Sequence, residues 1–394
     1  MTYKPFILLL GIFLGSYRPG LLRRQSNKFP MKANPFAHDT PLNRWGNTVA
    51  RLLAEFNSRT RARNQVPSSQ TETVALTSTA LKCDQVHSCA VCQSEEGNVH
   101  HVREMMLGMA VVFPYWECRQ CGCFSLASVP DDLGRYYPSS YYSFQEAQEE
   151  ISAVARLRGI LRKLRDHAAL SPVFFPLARP RRTDLDVIRR VHLTKSETLL
   201  DVGCGGGYLV RDLRVYGYNA VGIDPFVPED LIDRSGICVQ RKMLSDVDGN
   251  YDVILFRHSL EHMPINALRL ARSRIKDEGV CIVCLPIIGW AWRHYGTDWA
   301  QLDAPRHLFI HTRKSFEILA HNSGFRIERV VFDSNEFQFW ASEAYGKNIP
   351  LKDAAPPNRL QTLGLRIRAT WLNRRGTGDA AQFYLRPSCN NPLR

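Results

Sequence analysis

Three groups of residues in this chain combine types and spacings that could do chemistry. The first is Asp201-Val202-Gly203-Cys204-Gly205-Gly206-Gly207, a glycine loop between an apolar run and a helical one, with Asp224 closing the next apolar run 21 residues after Gly203. Strand, glycine loop and helix bring a backbone close to a ligand at a helix N-terminus, and a carboxylate after the second strand can accept hydrogen bonds from ribose hydroxyls. A nicotinamide dinucleotide and S-adenosylmethionine both carry such a ribose. The dinucleotide fingerprint needs a third glycine where this chain has Tyr208, so the loop fits S-adenosylmethionine better. The second group is Cys89-x2-Cys92 and Cys118-x2-Cys121, separated by 25 residues. Two such knuckles bring four thiolates to a tetrahedral Zn2+, a closed structural site with no open position for catalysis. Cys83, Cys123, His100 and His101 lie nearby and read as incidental. The third group is His258, Glu261 and His262 after the fourth apolar run, with Arg306 and His307 after the fifth. Histidine suits general-base work near neutral pH, Glu261 could orient His262 or act as base itself, and Arg306 could clamp a phosphate or carboxylate.

These residues need a scaffold, and 394 residues suffice for two or three domains with a sizeable core. The composition, 44% hydrophobic and 23% charged, excludes wholesale disorder and collagen-like structure. The longest apolar run, residues 5–15, is too short to cross a bilayer, so a multi-pass membrane protein is excluded. Of the net charge of +13, the first 80 residues hold 11 Lys/Arg and 3 Asp/Glu, 11 − 3 = +8. A basic excess confined to one segment suggests a tail, so no nucleic-acid partner is expected. Residues 1–24 read as a weak membrane-surface anchor, a poor signal peptide or an over-extended gene start. Residues 1–80 as a whole read as largely disordered. A zinc-ribbon-like module is expected over 83–145 and a basic amphipathic linker helix within 146–185. A Rossmann-like domain follows over 186–394, with a helical insertion at about 350–376.

Within that last domain, periodicity predicts strands at 198–202, 219–223, 237–240, 251–256, 279–285 and 325–332. Helices are predicted at 208–216, 265–275, 313–322 and 358–375, and a late strand at 380–385 could pair antiparallel beside 325–332. Strands alternating with helices of this length make a doubly wound α/β sheet.

On these residues the chain resembles the class I S-adenosylmethionine-dependent methyltransferases. LLDVGCGGGYL, VGIDP, YDVILFRHSLEH and EGVCIVCLP are similar to that family's successive motifs. The two cysteine knuckles, Tyr136-Tyr137-Pro138 with Tyr141-Tyr142, and Asp303-Ala304-Pro305-Arg306-His307 resemble a subgroup that begins with a small cysteine module. The resemblance implies that Gly203, Gly205 and Gly207 line the methionine portion of the cofactor, that Asp201 sets the loop, and that Asp224 holds the ribose. It implies that Arg257 and His258 flank the methyl group, while the adenine contact has no clear acidic candidate beyond Ser245 or Asp246. It further implies methyl transfer to a small-molecule or sugar-linked acceptor in the cytoplasm, with His307, His262, Glu261 and His258 as catalytic candidates. Two rivals follow. One is a quinone- or phenol-type O-methyltransferase at the membrane surface, in which His258, Glu261 and His262 could hold a divalent metal. The other is a non-catalytic zinc-ribbon scaffold.

Overall fold

The computed structural model describes residues 88–137 and 183–388. The expected tail, the expected linker up to residue 182, Cys83, and Pro138, Tyr141 and Tyr142 lie outside them.

The cysteine segment folds into β1 (Gly97–Arg103), β2 (Val112–Cys118) and β3 (Phe124–Leu126), an antiparallel meander with Val99 opposite Trp116. Helix α1 (Thr183–Arg189) then leads to β4 (Thr198–Val202), α2 (Tyr208–Val215), β5 (Asn219–Ile223), β6 (Leu231–Asp233), β7 (Gly236–Gln240) and β8 (Tyr251–Arg257). After these come α3 (Ala267–Arg272), β9 (Ile275–Pro286), α4 (Trp290–Tyr295), β10 (Phe309–Ile310), α5 (Arg313–Asn322) and β11 (Phe325–Phe332). The chain finishes with α6 (Phe337–Gly346), α7 (Arg359–Arg374) and β12 (Ala380–Pro387). The large sheet has the order β11-β12-β9-β8-β4-β5-β7-β6. Its centre, from β9 to β7, is parallel, and β12 runs antiparallel between β9 and β11. This is a Rossmann-like α/β fold.

The central strands read as unbroken apolar runs because both faces are covered. Leu200, Val202, Ile254, Phe256, Val283 and Leu285 pack with Leu268, Phe316 and Leu319 on one face. Leu199, Val253, Leu255 and Ile282 meet Ile188, Leu209 and Leu213 on the other. Alternate residues of one strand thus enter opposite cores, the period of two a pleated strand imposes. The helix expected over 265–275 is shorter, because Ile275 already pairs with Tyr251 and begins β9. Helices α4 and α6 and the edge strand β6 were not legible in the periodicity. Among the described residues no helix is long and apolar enough to cross a membrane.

The module does not fold apart from this sheet. Strand β10, which follows β4–β9 of the large sheet in the chain, pairs with β3 and completes a four-stranded sheet. The buried cysteines Cys89, Cys118 and Cys121 share a core with Phe316 of α5. The Thr312 hydroxyl, at the start of α5, donates to the Cys121 carbonyl at 2.6 Å, and Lys314 donates to that of Gln120.

Candidate functional site

The parallel strands deliver their carboxyl ends to one edge, and the chain order reverses at β4, whose neighbours are β5 and β8. Ligands of open α/β sheets bind at such a switch point. The glycine loop lies there. Gly203 and Gly207 have φ of +73° and +67°, a left-handed backbone that glycine adopts without steric cost. A side chain would also collide, since a Cβ on Gly207 would stand 2.2 Å from Val239 and one on Gly203 2.6 Å from the Ser259 Cβ. Asp201, 2% exposed, is the next-to-last residue of β4, just before the loop. Asp224 accepts the Gly205 N–H at 2.9 Å through one carboxylate oxygen and the Phe226 N–H at 2.9 Å through the other. Burial raises its pKa against those two donors. Each oxygen keeps a second lone pair for a ligand hydroxyl. Ser245 and Asp246 lie after β7, where the Ser245 hydroxyl donates to the Asp246 carboxylate at 2.9 Å, exposed.

At the end of β8, Arg257 donates to the Tyr208 hydroxyl at 2.6 Å and stacks over its ring. His258 follows with φ of +53°, an uncommon conformation outside glycine and one that clusters at functional sites. Its side chain is 47% exposed, and its Nδ1 stands 3.6 Å from the Glu261 carboxylate. Partial desolvation of the His258 ring works against its charge, but the carboxylates of Glu261 and, after it, Asp333 outweigh it and the pKa is raised. Glu261 itself is 2% exposed. Burial would raise its pKa, yet His258, His262 and His307 together hold it below the usual range. Among the described residues neither carboxylate oxygen has a hydrogen-bond partner.

His262 and His307 complete this cluster with ring centroids 4.7 Å apart. The Nδ1 of His262 donates to the Arg306 carbonyl at 2.9 Å, and that of His307 to the Gln301 carbonyl at 2.9 Å. Those bonds place a proton on Nδ1 of both rings. His307 is held neutral, its pKa lowered to about 4 by burial and by His262. One donor atom each of Glu261, His262 and His307 lies within 4.8 Å of the others, so His307 stands where the sequence put His258 in a possible metal-binding set. Such a cluster can relay a proton, and it is a partial shell for a divalent cation. Tyr137, from the YYP segment of the module, reaches the Nδ1 of His262 with its hydroxyl at 3.3 Å.

Arg306 is a correction. It has no exposed surface and makes hydrogen bonds to Asp303 at 2.5 and 3.0 Å, to Glu104 at 3.3 Å and to the Tyr136 carbonyl at 3.2 Å. It joins the module to the loop after β9 and is closed to an acceptor. Glu104, which caps the Leu107 and Met109 N–H groups, carried no signal in the sequence.

The four cysteines converge. The sulfurs of Cys89 and Cys121 are 3.5 Å apart, as are those of Cys92 and Cys118, and all four lie within 4.8 Å of one another. Thiolates about 2.3 Å from a tetrahedral Zn2+ stand close to these separations, so the donor set fits the ion. The Cys89 thiol is lowered to about 5 chiefly by its contact with Cys121, whose own pKa is raised by it. His100 instead pairs with Glu117 at 2.7 Å, and Cys123 faces His311 at 3.7 Å.

Residues 177–330 match the family model described as a methyltransferase domain. Over 107 residues the chain is 31% identical to a ubiquinone biosynthesis O-methyltransferase from Azorhizobium caulinodans, covering 24% of this chain and 42% of that protein. Over 145 residues it is 27% identical to the protein of the same name from Cereibacter sphaeroides strain ATCC 17023, 30% of this chain and 58% of that one. The chain spans about half the length of these curated relatives. Among solved structures it is similar to a cyclopropane synthase from Mycobacterium tuberculosis, with 18% identity, a TM-score of 0.34, and coverage of 57% of this chain and 96% of that one. A SAM dependent methyltransferase from Archaeoglobus fulgidus gives 16% identity and a TM-score of 0.33, over 52% of this chain and 91% of that one. The stretch that matches the methyltransferase domain contains the glycine loop, Asp224, the His258–His262 loop and His307.

Proposed function

We propose that this chain is an S-adenosylmethionine-dependent methyltransferase acting on a small-molecule acceptor. The observation that carries the reading is the meeting of a left-handed glycine loop and the buried Asp224 at the carboxyl edge of β4 and β5, inside the stretch that matches a methyltransferase domain. In this reading Gly203, Gly205 and Gly207 line the methionine portion and Asp201 sets the loop. Asp224 takes the ribose hydroxyls with its remaining lone pairs, and Arg257 and His258 flank the methyl end. When bound, S-adenosylmethionine supplies a methyl group on a sulfonium, transferred by in-line displacement. The protein's part is to hold an acceptor in line and to remove its proton.

His258 is the proposed base. Of the three histidines its ring is the most open to the cleft, and Glu261 both orients it and raises its pKa toward working pH. His262 and His307, each tied through Nδ1 to a backbone carbonyl, hold the Glu261 charge in place. Cys89, Cys92, Cys118 and Cys121 are proposed to hold a structural Zn2+ that fixes the module carrying Tyr137 and Glu104. The acceptor is proposed to be a small molecule or a sugar-linked group. The alternative is a quinone-like phenol, favoured by the names of the curated relatives.

Titration calorimetry of S-adenosylmethionine into wild type and Asp224→Ala, with zinc measured in the same preparation, tests the reading. Micromolar binding lost at least tenfold on substitution is the expected result. No binding by a folded, zinc-loaded wild type puts the scaffold reading first. Turnover with protein or RNA acceptors only would end the small-acceptor assignment.

A further inference from the structure

Helix α7 has two apolar faces, and the core uses one. Ala369 and Leu372 are buried against Phe339, with Leu365 partly covered beside them. On the opposite side Leu360, Leu363, Ile367 and Trp371 are 82%, 57%, 64% and 49% exposed. Their spacings of three, four and four residues form one continuous stripe along the helix. A surface helix ordinarily turns such a stripe inward and shows water its polar face. Here the outward stripe is bordered by arginine on both sides. At 100° per residue Arg359 and Arg366 lie along one flank and Arg368 and Arg375 along the other, and residues 358–375 contain no acidic residue. Arg366 pairs with Glu336 at 2.7 Å and Arg368 lies over the Trp290 and Phe339 rings, so Arg359, Arg374 and Arg375 carry the border's charge. Beside the helix runs a trench between α7 and the edge strand β11, with Arg313, Arg329 and Arg374 in its walls against the single acidic Glu328.

We propose that this face of α7 lies on the surface of an anionic lipid bilayer. An apolar stripe with aromatic and cationic borders is the pattern that settles at the headgroup boundary, its apolar side chains immersed and its charges among the phosphates. The long arginine stems add apolar contact while their heads stay in the polar layer, and Arg375 already stacks 3.7 Å over the Trp371 ring. A second copy of the chain is a poorer occupant, because a two-fold pairing along this stripe would set arginine against arginine. The stripe also lies close to the proposed site. The turn after α7 enters β12, whose Ala380 pairs with Pro286 at the carboxyl end of β9, so the last turn of the helix stands near the rim of the cleft. The inference does not depend on methyl transfer, and its readout needs no cofactor.

The test is co-sedimentation of the full-length protein with vesicles of mixed phosphatidylcholine and phosphatidylglycerol, against vesicles of phosphatidylcholine alone. Wild type is expected to pellet with the mixed vesicles and to be released by raised salt. Leu360→Ser, Leu363→Ser and Ile367→Ser combined should lower that partitioning by at least about tenfold, while the melting temperature stays unchanged because these side chains touch little of the core. Arg359→Glu with Arg374→Glu should weaken binding to mixed vesicles by about tenfold or more and leave the neutral vesicles unaffected. Wild type that stays in the supernatant overturns the proposal. So does a triple variant that pellets like wild type, since binding then belongs to another segment. A wild-type dimer that the triple variant dissolves, without any vesicle effect, assigns the stripe to a second copy and overturns it too.

Discussion

Arg306 and Glu261 are buried charges in neighbouring segments, tied together where the Leu308 N–H donates to the Glu261 carbonyl at 2.8 Å. Around Arg306 the guanidinium is met by two carboxylates and a carbonyl, and Asp303 answers with a pKa lowered to about 2, the guanidinium outweighing burial. Around Glu261 three histidines lower the carboxylate's pKa against burial, but neither oxygen is hydrogen-bonded among the described residues. A saturated network holds elements together, and here it ties module to sheet. A buried carboxylate without hydrogen bonds is costly unless something is gained by it, and such groups gather where protons or ligands are handled. The same corner of the molecule thus separates a charge that ties elements together from one that, in the proposed function, works.

The largest expected effect lies on the structural side, in the cysteine cluster. If Zn2+ joins the knuckles, its loss removes a contribution of roughly 10 kcal/mol, the scale of structural zinc in small domains. Chelation or Cys118→Ser should then abolish hydrogen-exchange protection in β1–β3 while much of the large sheet stays protected. A purified protein without zinc, equally protected with and without chelator, would sink the zinc assignment. Next comes Arg306→Met, which leaves Glu104 and Asp303 facing each other's neighbourhood without a cation. Removing one partner of a buried pair costs about 3–5 kcal/mol. For a domain of this size the melting temperature should fall by roughly 10 °C. A variant that melts like wild type but loses acceptor affinity would return Arg306 to the role of an acceptor clamp.

Much of the large sheet was legible because its central strands are buried on both faces and its turns carry glycine. The runs at 198–202, 219–223 and 325–332 became β4, β5 and β11 without change of boundary, and 380–385 became an antiparallel strand beside β11. Helix α7 was expected over 358–375, and the structure ends it on the Asn358 capping box and Arg375. What was illegible has long-range causes. Strand β10 is two residues long and exists only because β3 lies beside it. Helix α6 has too little polar residue on any face to show a period, since Phe339, Ala341 and Tyr345 are all buried. At the site, the sequence grouped His258, Glu261 and His262 by adjacency, while the fold draws in His307 from 45 positions beyond His262 and Tyr137 from the module. Arg306 beside His307 looked like a ligand group, and only packing reveals that Glu104 and Asp303 enclose it.

Glu261→Gln gives the smallest effect on folding and the sharpest reading of the comparison. Glutamine keeps the shape and removes a buried charge that has no hydrogen bond, so stability should change by less than about 1 kcal/mol, unlike Arg306→Met. The effect belongs in the pH profile. The base must be neutral to accept a proton, so the rate rises with pH through the pKa of His258. In wild type burial pulls that pKa down and Glu261, with Asp333 after it, outweighs it, placing the inflection above the usual histidine value of about 6.5. Without the carboxylate, burial is opposed mainly by Asp333, and the inflection should move to lower pH, each unit of movement reporting about 1.4 kcal/mol of interaction between the two groups. Above the inflection the rate should stay reduced, because a weaker and unoriented imidazole abstracts the proton less well. Single-turnover rates across pH, compared with His258→Asn, would check this. An inflection that does not move while the rate collapses would mean that Glu261 serves something other than His258, and a rate restored by added divalent cation would identify the Glu261–His262–His307 donors as that something.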